Sequence, residues 1–260
     1  MPAPDDLALL IAAARAAGEV ALGYAQETAR RWDKPGGLGP VTEADLAVNA
    51  ALEERLRGAR PDYGWLSEES EDSTARLTAR RLFIVDPIDG TRSFIEGSGS
   101  WAHSIAIAEA GVIVAAVVFL PRRDKLYAAA RGQGATLNGT RLCIGLRSEL
   151  TGASVLAAKP VYATRHWRGA VPDVIRVYRP SLAYRLCLVA EGRFDAMLTL
   201  RPSWEWDAAA GALILQEAGA AVTDRSGAAL RFNNPVPKVN GIIAANPALH
   251  TRIAQALAPG

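Results

Sequence analysis

From His103 to Leu142 the chain breaks into short β-type runs separated by glycine and proline, and this stretch constrains the fold more than any other. The runs Ser104–Ala108, Val112–Leu120, Lys125–Ala130 and Ala135–Leu137 predict an antiparallel meander. Helical spacing precedes it. Leu7, Leu10, Ile11, Ala14, Val20 and Leu22 predict a helix over Asp6–Trp32, with Asp5 and Asp6 as cap candidates. A second helix is expected from Thr42 to Leu56, stopping at Gly58. Between them Asp33–Pro40, with Pro35, Gly36, Gly37, Gly39 and Pro40, reads as a loop. Tyr63–Leu66 and Leu82–Val85 read as short strands, each followed at once by carboxylates.

After the meander, strand and helix alternate. Ser154–Ala157, Val174–Val177, Phe194–Leu200, Ala221–Thr223 and Gly241–Ala245 are expected strands. Ser181–Glu191, Asp207–Ala218 and Pro247–Ala258 are expected helices, the last opened by its proline. The change of pattern near Arg147–Gly152 divides the chain into an antiparallel part, 1–147, and an α/β part, 148–260. With 260 residues, half of them apolar, there is material for a substantial core, and the class is α+β with sheets covered by helices.

Charge excludes some partners. The 29 Lys and Arg nearly balance 27 Asp and Glu, leaving +2, too little for a nucleic-acid polymer or a membrane surface. The longest uncharged apolar stretch, Ala110–Pro121, is too short to span a bilayer. The amino terminus is acidic where a signal peptide is basic, and Cys143 and Cys187 form no CxxC pair. A cytoplasmic protein with two buried thiols is expected.

The densest chemical signal is Asp86-Pro87-Ile88-Asp89-Gly90-Thr91, directly after the apolar run Leu82–Val85. A tight turn there can aim both carboxylates and the Ile88 carbonyl at one point, and an all-oxygen cluster suits a hard divalent cation. Gly90 permits close backbone approach, and the following amides could hold an anionic oxygen. An Asx-type turn, with the carboxylates serving local amides, explains the same residues, and on this segment alone the two readings stand level. Further acids shift the balance. Glu68 follows the run Tyr63–Leu66, and Asp207 lies near a helix start after Trp206. Together they describe a shared multimetal phosphate site, where cations offset the repulsion of clustered acids. Taken singly, Asp207 reads better as an N-cap, and Thr42 with Asp45 as a capping box.

The motifs resemble those of the inositol monophosphatase family of Mg²⁺-dependent, lithium-sensitive phosphomonoesterases. Asp86–Phe94 (DPIDGTRSF) resembles the family's first signature, and Trp206–Gly211 with Glu217-Ala218-Gly219 its second. Ser67–Ser70 stands where the family has GEES, and Val41–Asp45 resembles its VTEAD-like element. The resemblance implies a layered αβαβα sandwich of the sugar-phosphatase type and a site for two or three Mg²⁺ ions. It implies that Glu68, Asp86 and the Ile88 carbonyl hold the first ion and Asp86, Asp89 and Asp207 the second, with Glu68 helping to hold a third. Thr91 and Asp45 would activate the attacking water, and the Gly90 and Thr91 amides would receive the phosphate. The substrate would be a small phosphorylated metabolite, and dimers are usual in the family, so a homodimer is expected.

Ser67 replaces the family's usual glycine, a small change expected to be harmless. Where inositol-hydrolysing members carry a substrate glutamate, this chain has Thr199 or Leu200, which puts myo-inositol 1-phosphate in doubt as the main substrate. The segments Gly64–Ser70, Gly90–Arg92 and Ser181–Val189 resemble the bacterial 3′(2′),5′-bisphosphate nucleotidase (CysQ-type) branch. Arg185 falls where that branch has a basic residue, and Lys159 is a second candidate for a further phosphate. A solvated or salt-bridged role fits either residue equally in so Arg-rich a chain. The leading substrate is therefore 3′-phosphoadenosine 5′-phosphate, with an inositol or histidinol phosphate second. A non-catalytic phosphometabolite-binding protein is the alternative from another class; a missing metal carboxylate would have favoured it. A haloacid-dehalogenase reading fails because two residues rather than one separate Asp86 from Asp89, and no G-x-S-x-G elbow supports a serine hydrolase. His103 is expected to be packed, and His166 and His250 to lie on loop and helix surface. Trp101 and Trp204 lie near site elements, with the core reading preferred.

Overall fold

The computed structural model describes residues 6–24, 29–37 and 39–259. Helix α1 (Asp6–Leu22) leads through strand β1 (Arg31–Asp33) and strand β2 (Pro40–Thr42) to helix α2 (Glu43–Ala59). Strands β3 (Gly64–Ser67) and β4 (Arg81–Asp89) follow, then a single helical turn, α3 (Thr91–Ile95). The meander comprises β5 (Ala102–Glu109), β6 (Val112–Leu120), β7 (Lys125–Ala130), β8 (Ala135–Leu137) and β9 (Thr140–Arg141). Next come β10 (Ser154–Ala157), β11 (Ile175–Val177), helix α4 (Leu182–Ala190), β12 (Ala196–Thr199), β13 (Ser203–Trp204) and helix α5 (Glu205–Glu217). Strands β14 (Ala221–Thr223), β15 (Lys238–Val239) and β16 (Ile242–Ala245) and helix α6 (Pro247–Ala256) complete the order.

Strands β3 to β9 form one seven-stranded sheet in sequence order, parallel only between β3 and β4. A second sheet has the order β11-β10-β12-β16-β14, with β10 parallel to both neighbours and β16 antiparallel to its own. Three apolar clusters separate five layers. Helices α1 and α2 cover one face of the large sheet, through Leu10, Leu52, Phe83, Val85 and Ile105. Its other face packs on α4 and α5, which the second sheet covers in turn, burying Leu186, Leu213, Ile214 and Ile242. The far side of that sheet carries α6, through Leu249 and Ile253 against Val155 and Ile243. This is the expected αβαβα sandwich. Gly211 lets the two middle helices touch, since a Cβ there would stand 2.7 Å from the Leu186 side chain.

Several local expectations are corrected. The first helix stops at Leu22 before Gly23, and Trp32 lies instead on a β-hairpin whose strands pair Arg31 with Thr42. Residues 25–28 of that expected helix, and the cap candidate Asp5, lie outside the described residues. Helix α5 begins two residues earlier than expected, with Trp204 rather than Asp207 at its cap position. His250 is buried, not on the surface, and its Nε2 meets the Thr223 hydroxyl at 2.8 Å. Cys143 is exposed and Cys187 buried, and both are free thiols. No described helix is long and apolar enough to cross a membrane.

Candidate active site

Two carboxylates three apart on a strand would normally face opposite ways, because side chains alternate. Strand β4 avoids this with a bulge. Asp86 pairs with Ser104 and Asp89 with Ala102, so Pro87 and Ile88 together oppose the single residue His103. The expected tight turn is thus a bulged continuation of the strand, and the extra residue restores the phase. Leu82, Ile84, Asp86 and then Asp89 share the side toward α4 and α5, while Phe83, Val85 and Ile88 face α1 and α2. Proline fits the bulge, where no ladder donor is required.

Other elements deliver their acids to the same place. The Glu68 amide donates to the Val85 carbonyl at 3.2 Å, so the chain leaves β3 beside the end of β4. Asp207 is the third residue of α5 and enters from the opposite layer. Glu68, Asp86 and Asp207 each bring one oxygen within 4.8 Å of the others. Burial, and then the neighbouring carboxylates, push Asp86 and Asp207 well above the ordinary carboxylate range. Asp89 is raised by burial too, although Ser181 and the Ala183 amide oppose the shift. Asp86 Oδ1 is buried without a hydrogen-bond partner. A buried acceptor left open among hard oxygens matches what a divalent cation needs, so Glu68, Asp86 and Asp207 fit Mg²⁺.

Asp45 combines its two readings. Its Oδ2 accepts from the Thr42 amide at 2.8 Å and the Thr42 hydroxyl at 2.6 Å, completing the capping box of α2. Its Oδ1 remains for Thr91, whose hydroxyl lies 3.2 Å from that oxygen and 3.2 Å from the Ile88 carbonyl. Burial raises Asp45 to about 6, against the hydrogen bonds from Thr42. Gly90 sits at φ 101°, a left-handed conformation, and a Cβ there would stand 3.2 Å from the Ser100 carbonyl.

Asp89 is held at the start of α4. Its Oδ2 accepts from the Ser181 hydroxyl and the Ala183 amide, each at 2.7 Å, and Ser181 holds this position at φ 63°. One turn on, Arg185 Nε donates to the Ser181 carbonyl at 3.4 Å and its guanidinium lies 5.6 Å from the centre of the Tyr178 ring; burial lowers it, against the attraction of Asp89, Tyr178 and Asp207. Lys159 is exposed at the start of a short 3₁₀ turn after β10, and no contact joins it to the acids. Thr199 and Leu200 are both buried at the end of β12 and offer no carboxylate. Trp101 is a core residue, and Trp204 lies between Trp206, stacked at 4.6 Å, and Lys238, 3.9 Å from its ring centre.

Sequence reasoning missed Lys34. From the β1–β2 loop its Nζ reaches Glu68 at 2.7 Å and Glu69 at 2.6 Å. The residue is one of only four lysines in an Arg-rich chain, a faint signal beside a Pro-Gly-Gly turn. Burial drives Glu69 up to about 7 despite that lysine. Ser67 does more than replace a glycine harmlessly. Its hydroxyl donates to Asn49 Oδ1 at 2.6 Å and so fastens the Glu68 turn to α2.

The profile of the inositol monophosphatase family matches residues 5–259. An inositol-1-monophosphatase of Rhizobium meliloti is 40% identical over 202 residues, 72% of this chain and 73% of its own. A histidinol-phosphatase of Mycobacterium tuberculosis is 36% identical over 252 residues, 92% of this chain and 95% of its own. The solved extragenic suppressor protein suhB from Bartonella henselae superposes with a TM-score of 0.80 at 31% identity, covering 97% of this chain and 98% of that one. With this layering and this acid cluster at the end of β4, the chain is a phosphoric monoester hydrolase of the inositol monophosphatase family.

Proposed function

We propose that the protein is a Mg²⁺-dependent hydrolase of a small phosphate monoester that carries a second anionic group. The best candidate is a 3′(2′),5′-bisphosphate nucleotide, 3′-phosphoadenosine 5′-phosphate first. Glu68, Asp86 and the Ile88 carbonyl would hold one Mg²⁺, and Asp86, Asp89 and Asp207 a second, with Glu68 open to a third. When bound, Mg²⁺ supplies Lewis-acid stabilisation of charge on the phosphoryl and leaving oxygens. The residues do the rest. The Thr91 hydroxyl, fixed by Asp45 Oδ1, is placed to take the proton of the attacking water and pass its own to Asp45. The amides of Gly90 and Thr91 receive the phosphate. Water attacks phosphorus opposite the ester oxygen, the P–O ester bond breaks, and the leaving oxygen takes up a proton.

What supports the substrate reading is Arg185, a partly buried guanidinium one turn along α4 from Ser181, the residue that holds Asp89. A guanidinium beside the acids favours a second anionic group on the substrate. It opposes the ammonium of histidinol phosphate, and it offers a neutral polyol no carboxylate acceptor. A second reading, histidinol phosphate, is favoured by the 92% coverage of this chain by the histidinol-phosphatase. Hydrolysis of bisphosphate nucleotides, inositol phosphate, histidinol phosphate and fructose bisphosphate, each with Mg²⁺ and with or without Li⁺, separates these readings. The bisphosphate nucleotide should show the highest kcat/KM. Arg185→Gln should raise its KM about tenfold more than that for histidinol phosphate. Preference for histidinol phosphate, unchanged in the variant, would contradict the reading.

A further inference from the structure

The single residue facing the bulge and its neighbour both make side-chain bonds that the mechanism does not use. His103 is wholly buried on the α1–α2 side of the sheet, edge-on to Trp101 at 5.5 Å and tilted against Phe119 at 6.3 Å. Its Nδ1 meets the Pro87 carbonyl. A carbonyl only accepts, so Nδ1 carries the proton, and burial keeps the ring neutral by lowering it to about 4. The next residue, Ser104, points to the opposite side, and its hydroxyl donates at 2.8 Å to the carbonyl of Trp206. Trp206 immediately precedes Asp207. Two consecutive residues of β5 thus grip both parts of the acid cluster from outside, one at the bulge between Asp86 and Asp89, the other at the start of α5.

We propose that His103 and Ser104 form a positioning clamp that sets where Asp86 and Asp89 stand relative to Asp207, touching neither substrate nor ion. The proposal rests on the cation-binding reading of those acids. Stability alone does not account for His103. Its Nε2 is buried without a partner, and an aliphatic side chain would fill the same apolar surroundings without that orphan. What an aliphatic residue cannot do is hold the Pro87 carbonyl, which the bulge has removed from the sheet ladder. Such outer contacts orient ligands, and their loss typically weakens metal binding about 10- to 100-fold.

The test is Mn²⁺ binding to the purified chain, read by the electron paramagnetic resonance of free Mn²⁺, alongside thermal melting. His103→Val should bind Mn²⁺ at least about tenfold more weakly, and since it trades the orphaned Nε2 for an orphaned Pro87 carbonyl it should melt close to the wild type. His103→Asn, whose amide nitrogen can stand where Nδ1 stands, should recover binding to within about threefold. Ser104→Ala should weaken binding in the same direction and carries the test alone if the His103 variants fail to fold. Wild-type affinity in both His103→Val and Ser104→Ala would overturn the clamp while leaving the cation site standing. An Asn variant as weak as the Val variant would overturn the hydrogen-bond role of His103. A wild-type chain that binds no Mn²⁺ would remove the cation site and the clamp together.

Discussion

Replacing Asp45 by Asn should change stability in a way that depends on pH, and the size follows from where the carboxylate sits. Asp45 is 1% exposed, and its burial outweighs the hydrogen bonds it accepts, raising it from 3.8 to about 6. A carboxyl raised in the folded state contributes stability below its unfolded value and loses it as pH rises through the folded one. The window therefore runs from about pH 4 to pH 6. Across it the wild type should lose on the order of 3 kcal/mol from this group, at about 1.4 kcal/mol for each tenfold change in proton affinity. Asn does not titrate, so the stability difference, wild type minus variant, should fall by that amount between pH 4 and pH 7. For a chain this long the corresponding shift in melting temperature is about 6–12 °C. His103, pushed down to about 4, titrates with the opposite sign in the same window, but it is present in both proteins and cancels in the difference. Urea denaturation at pH 4, 5, 6 and 7, with a chelator present, measures it. A difference that stays constant with pH would refute the assignment of a buried, mostly desolvated carboxylate at residue 45.

The remaining predictions concern turnover and strain. Asp86→Asn should abolish Mg²⁺-dependent hydrolysis, yet raise the melting temperature of the metal-free chain by removing a buried charge among like charges. Near-wild-type turnover would show that Asp86 is not a ligand. Thr91→Ala should lower kcat at least about 100-fold with little change in KM, and a pure KM effect would argue against proton transfer through its hydroxyl. Gly90→Ala should cost about 1–3 kcal/mol of stability and most of the activity, because it combines φ 101° with a Cβ pressed on the Ser100 carbonyl; a stable, active variant would show that the turn relaxes.

Periodicity made the meander legible. Val112–Leu120, Lys125–Ala130 and Ala135–Leu137 run where their apolar pattern ends, because glycine or proline closes each strand locally. The hairpin of Arg31–Asp33 with Pro40–Thr42 was not legible, since its strands are only three residues each, the first wholly exposed, and it is defined by pairing across a Pro-Gly-Gly turn. The acids of the cluster were legible as a motif, but their common orientation was not. It depends on a bulge whose partner strand lies about fifteen residues away. Long-range contacts hid the supporting residues as well. Lys34 reaches acids 34 and 35 positions on, and His250 on α6 meets a hydroxyl from β14. Asp207 was open to misreading as a cap because a helix start attracts acids for local reasons. Here the N-terminal part of α5 is tied by Glu205 instead, whose carboxylate accepts from the Asn233 and Asn234 amides at 2.7 and 2.9 Å.

Whether Glu68, Asp86, Asp89 and Asp207 together hold divalent cations decides the proposed function. Anomalous diffraction from crystals of the chain grown with Mn²⁺ tests it most directly. Strong anomalous peaks are expected between Glu68 and Asp86, and among Asp86, Asp89 and Asp207, each lost in Asp86→Asn. Crystals saturated with Mn²⁺ that show no peak within ligand distance of these oxygens would contradict it.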